Sequence, residues 1–182
     1  WHLVKNDPIA KLALFQKDSG PVYIDFISGK KAHRRHFGGG KGQPLVRAMG
    51  KLKEGLPSVL DATAGMGGDS FVLASQGLKV QMVERSVAVA ALLADGLKRS
   101  QQALQRLDRE EADPELLEII MNMSLVQADA TDYLLSQKPV VDVIYMDPMY
   151  PEKKKNAATK KEMKALQILV GPDKDSEDLL QA

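Results

Sequence analysis

The chain has 182 residues, enough for one domain with a buried core. It is 44% apolar with a net charge of +1, an ordinary globular composition in which bulk charge selects no partner. The absence of cysteine excludes a disulfide framework and a thiolate metal site, and the longest apolar run, around "VAVAALLA", is far too short to span a bilayer. No secretory leader is visible in the residues given, and a cytoplasmic protein without membrane contact is expected. The first residue is Trp1, so the natural chain is expected to start upstream.

Residues 8–18 fit a short helix or a strand equally well. "PVYIDFIS", 21–28, alternates and is rich in β-branched and aromatic residues, which predicts a strand. A basic, glycine-rich loop follows, and Pro44 opens a helix of about ten residues. "PSVLDATA" reads as a strand over 58–63, "GMGGDS" as a turn, and "SFVLASQG" as a helix stopped by Gly77. "KVQMVER" predicts a strand at 79–85, then a long helix at 86–107 with Ser86 as its cap. An acidic excursion carries a short helix after Pro114. "MSLVQAD", 123–129, is a strand, "TDYLLSQ" a short helix, and "VVDVIYMD", 140–147, a strand. "TKKEMKALQILV", 159–170, predicts a helix ended by Gly171-Pro172.

From residue 58 onward, strands alternate with helices. That pattern predicts an α/β fold with a mostly parallel, doubly wound sheet covered on both faces. The division expected is an N-terminal, β-containing extension over 1–54 and a cofactor-binding domain over 55–182, with C-terminal strands of the sheet lying beyond the given chain. In such folds a ligand sits outside the carboxyl ends of the strands. Four successive strand ends carry a carboxylate: Asp61, Glu84, Asp129 and Asp147.

"LDATAGMGGDS" sets Gly65, Gly67 and Gly68 between a strand and a helix, where glycine lets a ligand approach the backbone. Glu84 follows at about 20 residues, the place of an acid that accepts ribose hydroxyls. This much fits a dinucleotide and S-adenosylmethionine equally. Ser70 stands where a dinucleotide motif needs its third glycine, which opposes a pyrophosphate ligand. Asp61 can face a cationic α-amino group, which only S-adenosylmethionine has. Each residue also has a plainer reading: Asp69 or Asp129 as a helix cap, Glu84-Arg85 as a surface ion pair.

Charge is segregated. Residues 30–53 hold eight Lys/Arg and no acid, and 153–164 hold six lysines against Glu162. Two basic clusters flanking one site predict a polyanionic substrate, met by Arg34, Arg35, His36, Lys41, Lys153 and Lys154. A solvated basic linker is the plainer reading of the first cluster. His33 and His36, with no neighbouring carboxylate, are expected at phosphate or in structural contacts and not at a metal.

The stretch "VVDVIYMDPMYPEKKK" ends a strand on Asp147, stiffens the next turn with Pro148 and Pro151, and sets Tyr150 between them. "DPMY" is similar to the D/N-P-P-Y/F signature of methyltransferases acting on exocyclic amino nitrogens, with Met149 in place of the second proline. In that signature the carboxylate and a main-chain carbonyl accept the two amine N–H bonds, and the aromatic ring stacks on the base. "DATAGMGGDSFVLASQG", "MVER", "YMDPMYP" and "AHRRHFGGGKGQ" together resemble the bacterial 16S rRNA (guanine-N2)-methyltransferase J family, from about residue 20 to the chain end. The resemblance implies a Rossmann-like class I methyltransferase fold. It implies S-adenosylmethionine as donor, no metal, and a guanosine near the 3′ end of 16S rRNA, free or in the small ribosomal subunit, as acceptor. Carried over by motif, Gly68 and Asp69 contact the cofactor, Glu84 and Arg85 flank its ribose, and Asp129 with Ala130 meets the adenine. Asp147 bridges cofactor and substrate, with Pro148 and Tyr150 completing the catalytic turn. A monomer is expected. The rivals are an adenine-N6 or protein-glutamine methyltransferase, an NAD-dependent oxidoreductase, and a non-catalytic RNA-binding protein.

Overall fold

A computed structural model of the chain describes residues 2–6, 11–16, 19–28, 44–50, 55–106, 113–147 and 179–180. The basic loop at 29–43, the turn from Pro148 to Tyr150, Lys153, Lys154 and the helix expected at 159–170 lie outside the described residues. Two sheets form. Strands β1 (His2–Asn6), β2 (Lys11–Gln16) and β3 (Ser19–Val22) make an antiparallel meander. The ambiguous segment at 8–18 is therefore a strand where it is described. Strand β3 is shorter than the run predicted at 21–28. The apolar alternation does continue, with Val22, Ile24 and Phe26 all buried. The ladder stops because the Asp25 carboxylate accepts from the N–H groups of Ile27 and Ser28 at 3.1 and 2.9 Å, folding the chain into a side-chain-capped turn.

Helix α1 (Pro44–Ala48) has five residues where about ten were expected. It stops at Gly50, whose φ of +73° leaves the helical region. The second sheet follows as an alternation: β4 (Val59–Asp61), α2 (Gly68–Ala74), β5 (Val80–Glu84), α3 (Val87–Arg106), α4 (Pro114–Met121), β6 (Met123–Gln127), α5 (Ala130–Gln137) and β7 (Val143–Tyr145). All its pairings are parallel, in the order β6-β5-β4-β7. The chain thus steps outward from β4 through β5 to β6, then returns to the other side of β4. The reversal falls between β4 and β7, and the crevice of an open α/β sheet forms at such a point. Strand β7 is shorter than 140–147 because Asp142 is occupied otherwise: its carboxylate accepts from the N–H and hydroxyl of Ser58 at 2.8 and 2.7 Å.

The sheet is covered on both faces, as a doubly wound fold requires. On one face Val59, Val80, Met82 and Met123 pack with Phe71, Leu92, Leu93, Leu104, Leu116 and Ile120. On the other, Leu60, Ala62 and Val83 pack with Ala130 and Leu134 of α5 and with Leu179. The N-terminal meander joins the first of these cores. Leu14, Val22, Ile24 and Phe26 belong to it, and the Phe26 ring stacks on Phe71 with centroids 5.5 Å apart. Polar contacts complete the seam. Asp95 on α3 accepts from Leu12 N–H at 3.1 Å and pairs with Arg99, whose guanidinium donates to the Ile24 carbonyl at 2.6 Å. Gly96 permits this approach, since a Cβ there would lie 2.7 Å from Ile24 Cγ2. Among the described residues no helix is long and apolar enough to cross a membrane.

Candidate functional site

Three of the four strand-end acids gather around the β4–β7 crevice and the β4–α2 loop. Asp61 closes β4 and is buried to 1% exposure. Its Oδ2 accepts from the Ser70 hydroxyl at 2.5 Å and its Oδ1 from Thr63 N–H at 3.1 Å. Burial pushes its carboxyl up to about 6; these two hydrogen bonds hold it down, and the charges of Asp69 and Asp147 add to the rise. Thr63 also faces the other way, its Oγ1 accepting from Asp147 N–H at 2.8 Å. The Asp147 carboxyl is itself raised, first by burial and then by the charge of Asp69.

Asp69, on the first turn of α2, does not cap that helix. The cap position is Gly67, which makes no side-chain cap bond. The Asp69 carboxylate instead accepts from the Tyr145 hydroxyl at 2.8 Å. Burial, followed by the hydrogen bond and charge of Asp69, pushes the Tyr145 phenol up, so it stays a donor. Tyr145 and Thr63 were not among the residues singled out from the sequence, and Ser70 was read there only as a missing glycine. Their one sequence signal is faint: Tyr145 is a polar-tipped aromatic in an aliphatic strand, two places before Asp147.

The glycine loop is shaped from behind. Gly67 has φ +66°, and a Cβ there would sit 2.8 Å from Leu93 Cδ2. Gly65 also has positive φ, at 52°. A Cβ on Gly68 would meet nothing within 4 Å, so the loop has open space in front of it. Glu84, 7% exposed, bridges from the neighbouring strand end: Oε2 accepts from Gly65 N–H at 2.9 Å and Oε1 from Ser86 N–H at 2.7 Å. Ser86 caps α3 only loosely, at 3.5 Å to Val89 N–H. Arg85 follows Glu84, and its carbonyl accepts from the Gln127 side chain at 3.4 Å.

Asp129 stands apart from the three clustered acids. It caps α5, accepting from Thr131 and Asp132 N–H at 2.9 and 3.2 Å, and the buried Ala130 begins that helix. Strands β5 and β6 bring this corner beside Glu84, whose carbonyl accepts from Ala128 N–H. Pro148, Tyr150, Arg34, Arg35, His36, Lys41, Lys153 and Lys154 lie outside the described residues.

The donor set has a definite chemistry. Among the described residues no cation pairs with Asp61, Asp69 or Asp147; the charges acting on Asp61 and Asp147 are those of their fellow acids. No group of three His, Cys, Asp or Glu residues there is arranged to hold a metal ion. A ligand carrying fixed positive charge and a pair of ribose hydroxyls relieves the repulsion and uses Glu84, which fits S-adenosylmethionine. A pyrophosphate placed before Asp61 and Asp69 would meet repulsion.

A family model described as "Putative SAM-dependent methyltransferase" matches residues 2–182. The chain is 60% identical over 177 residues to the ribosomal RNA small subunit methyltransferase J of Hydrogenovibrio crunogenus, covering 97% of this chain and 61% of that protein. It is 44% identical over 191 residues to the protein of the same name from Yersinia pseudotuberculosis, covering 99% of this chain and 71% of that one. The chain belongs to the ribosomal RNA small subunit methyltransferase J family. Its fold is also that of a solved SAM-dependent methyltransferase from Neisseria gonorrhoeae: TM-score 0.59 and 31% identity, over 93% of this chain and 62% of that one. The chain thus spans about three fifths of the length of the Hydrogenovibrio relative. The family's cofactor is S-adenosylmethionine, in agreement with the donor set.

Proposed function

We propose that this chain forms the cofactor-binding and catalytic core of an enzyme that methylates the exocyclic N2 of a guanosine near the 3′ end of 16S rRNA. Its partner is then the 16S rRNA or the small ribosomal subunit, its location the cytoplasm, and its working form a monomer. The observation that carries the reading is the convergence of Asp61, Asp69 and Asp147, without a paired cation among the described residues, at the point where the sheet order reverses. Family membership supports the acceptor.

S-adenosylmethionine supplies an electrophilic methyl group on a cationic sulfur. The side chains have distinct tasks. Asp61 and Asp69 offer carboxylate oxygens to the cationic amino end of the cofactor, which lies against the glycine loop of Gly65, Gly67 and Gly68. Glu84 accepts from the ribose hydroxyls, flanked by Arg85. Asp129 and Ala130 bound the adenine end. Asp147 accepts an N–H of the guanine amine and keeps that nitrogen's lone pair directed at the donor. The nitrogen is a weak nucleophile because its lone pair is delocalised into the ring, so orientation is the main source of acceleration. Pro148 and Tyr150 complete the turn, with the ring stacked on the base. Arg34, Arg35, His36, Lys41, Lys153 and Lys154 meet rRNA phosphate.

Two measurements on the full-length protein test this. Calorimetric titration should detect S-adenosylhomocysteine binding and no NAD binding. Mass-spectrometric mapping of 16S rRNA should lose one N2-methylguanosine near the 3′ end when the gene is deleted and regain it on complementation. NAD binding in place of S-adenosylhomocysteine, or an unchanged map, overturns the proposal.

A further inference from the structure

The contact between Tyr145 and Asp69 spans the two halves of the site. Asp69 belongs to the glycine loop and α2, which face the cofactor. Tyr145 ends β7, the strand that delivers Asp147 two residues later. Strand register fixes the base of this contact: Tyr145 lies opposite Asp61 in the β4–β7 ladder, and its carbonyl accepts from Ala62 N–H at 2.9 Å. From that anchored backbone the phenol reaches across 76 residues of sequence to Asp69 Oδ2 at 2.8 Å. The helix does not use the Asp69 carboxylate, since its cap position is Gly67 and makes no side-chain bond. Among the described residues Tyr145 is its one hydrogen-bond donor, and Oδ1 is left open.

We propose that Tyr145 is a positioning residue: its hydroxyl holds one oxygen of Asp69 so that the other faces the cofactor, locking the donor loop to the acceptor strand. The inference rests on the functional reading above. A phenol donating to a carboxylate makes a charge-assisted bond, about twice as strong as a neutral one. A carboxylate on the first turn of a short helix otherwise rotates about two side-chain torsions. Fixing one oxygen removes that freedom before the cofactor arrives, which is preorganisation of the binding site. Phenylalanine at 145 keeps the ring and its packing against the core but loses the donor.

The test is Tyr145→Phe in the full-length protein, alone and combined with Asp69→Ala. Tyr145→Phe should weaken S-adenosylhomocysteine binding about tenfold, the scale of one hydrogen bond to a charged group. It should raise the KM for S-adenosylmethionine by a similar factor while kcat falls less than about threefold, the split expected when ground-state positioning is lost. In the Asp69→Ala background the same substitution should change cofactor affinity by less than about twofold, because the group it positions is gone. A merely structural tyrosine would lower the melting temperature without that coupling. Wild-type affinity in Tyr145→Phe, or an equal loss with and without Asp69, overturns the inference and leaves the functional reading intact. Failure of the wild-type protein to bind S-adenosylhomocysteine overturns both.

Discussion

The Thr63 hydroxyl accepts a 2.8 Å hydrogen bond from the main-chain N–H of Asp147, while the Thr63 N–H donates to Asp61 at 3.1 Å. Thr63, two residues after β4, thereby fixes the backbone of the proposed catalytic acid and orients the buried acid that ends the strand. This tether is made by the main chain of Asp147, so its side chain can be removed without releasing it.

Asp147→Ala is therefore expected to lower the methyl-transfer rate on rRNA far more than it lowers S-adenosylhomocysteine affinity. That is the pattern of an interaction used mainly in the transition state. The companion contrast is at Tyr150: Tyr150→Phe keeps the stacking ring and most activity, whereas Tyr150→Ala does not. Near-normal turnover in Asp147→Ala would make the acid a turn residue only.

Asp61 predicts a pH dependence. Its folded pKa, about 6, lies above the ordinary 3.8, so the folded protein holds a proton that the unfolded chain has released between those values. Its contribution is fully present below about pH 4 and is lost as pH rises through about 6. Over that interval the wild type should lose on the order of 3 kcal/mol relative to Asp61→Asn, since one pKa unit corresponds to about 1.4 kcal/mol. Thermal unfolding of both proteins from pH 4 to 7.5 reads this directly. Saturating S-adenosylhomocysteine should flatten the slope if its ammonium group meets Asp61 as proposed. Parallel curves for the two proteins would remove Asp61 as the source.

Glu84→Ala should weaken S-adenosylhomocysteine binding by about ten- to a hundredfold through loss of the proposed ribose acceptors. It should also lower stability by about 1–3 kcal/mol, because Gly65 N–H and Ser86 N–H each lose a partner. Calorimetry well below the melting temperature separates the two effects. A fall in stability with unchanged affinity would reduce Glu84 to a loop brace.

Gly96→Val should destabilise the protein by about 1–3 kcal/mol through overpacking against Ile24, with a drop in melting temperature read by calorimetry. Cofactor affinity of the folded fraction should not change, since the atoms nearest a Cβ at Gly96 belong to Ile24 and not to the candidate site. A neutral effect would show that the meander shifts freely on α3.

Strand and helix order from 58 to 147 was legible because each element is short, apolar and bounded by glycine, proline or a capping acid. The strand-end acids were legible for the same reason: a carboxylate closing an aliphatic run is visible without coordinates. The Tyr145–Asp69 bond was not, since only the β4–β7 ladder brings residues 76 places apart into contact, and the Ser70–Asp61 bond depends on the fold of the glycine loop between β4 and α2. Asp69 shows the limit of local rules, being placed for a cap yet bound to a strand. Asp129 shows their strength, having both the place and the bonds of a cap. The overlong strand at 21–28 has a physical cause as well. Alternating burial persisted past Val22, but the Asp25 side chain took the N–H groups a ladder would have needed.

The Gly96–Ile24 approach bears on how such a protein can be re-engineered. The meander is not a portable attachment that could be transplanted onto another methyltransferase by matching strand sequences. The recipient would need, on the helix in the place of α3, a glycine at the crossing point with an acid to accept a main-chain N–H and an arginine to donate to a main-chain carbonyl, as Asp95 and Arg99 do, and on the helix in the place of α2 a ring to face Phe26. A chimera lacking those four features would leave Ile24 and Phe26 without their socket, so the graft and the two helices that receive it must be moved together.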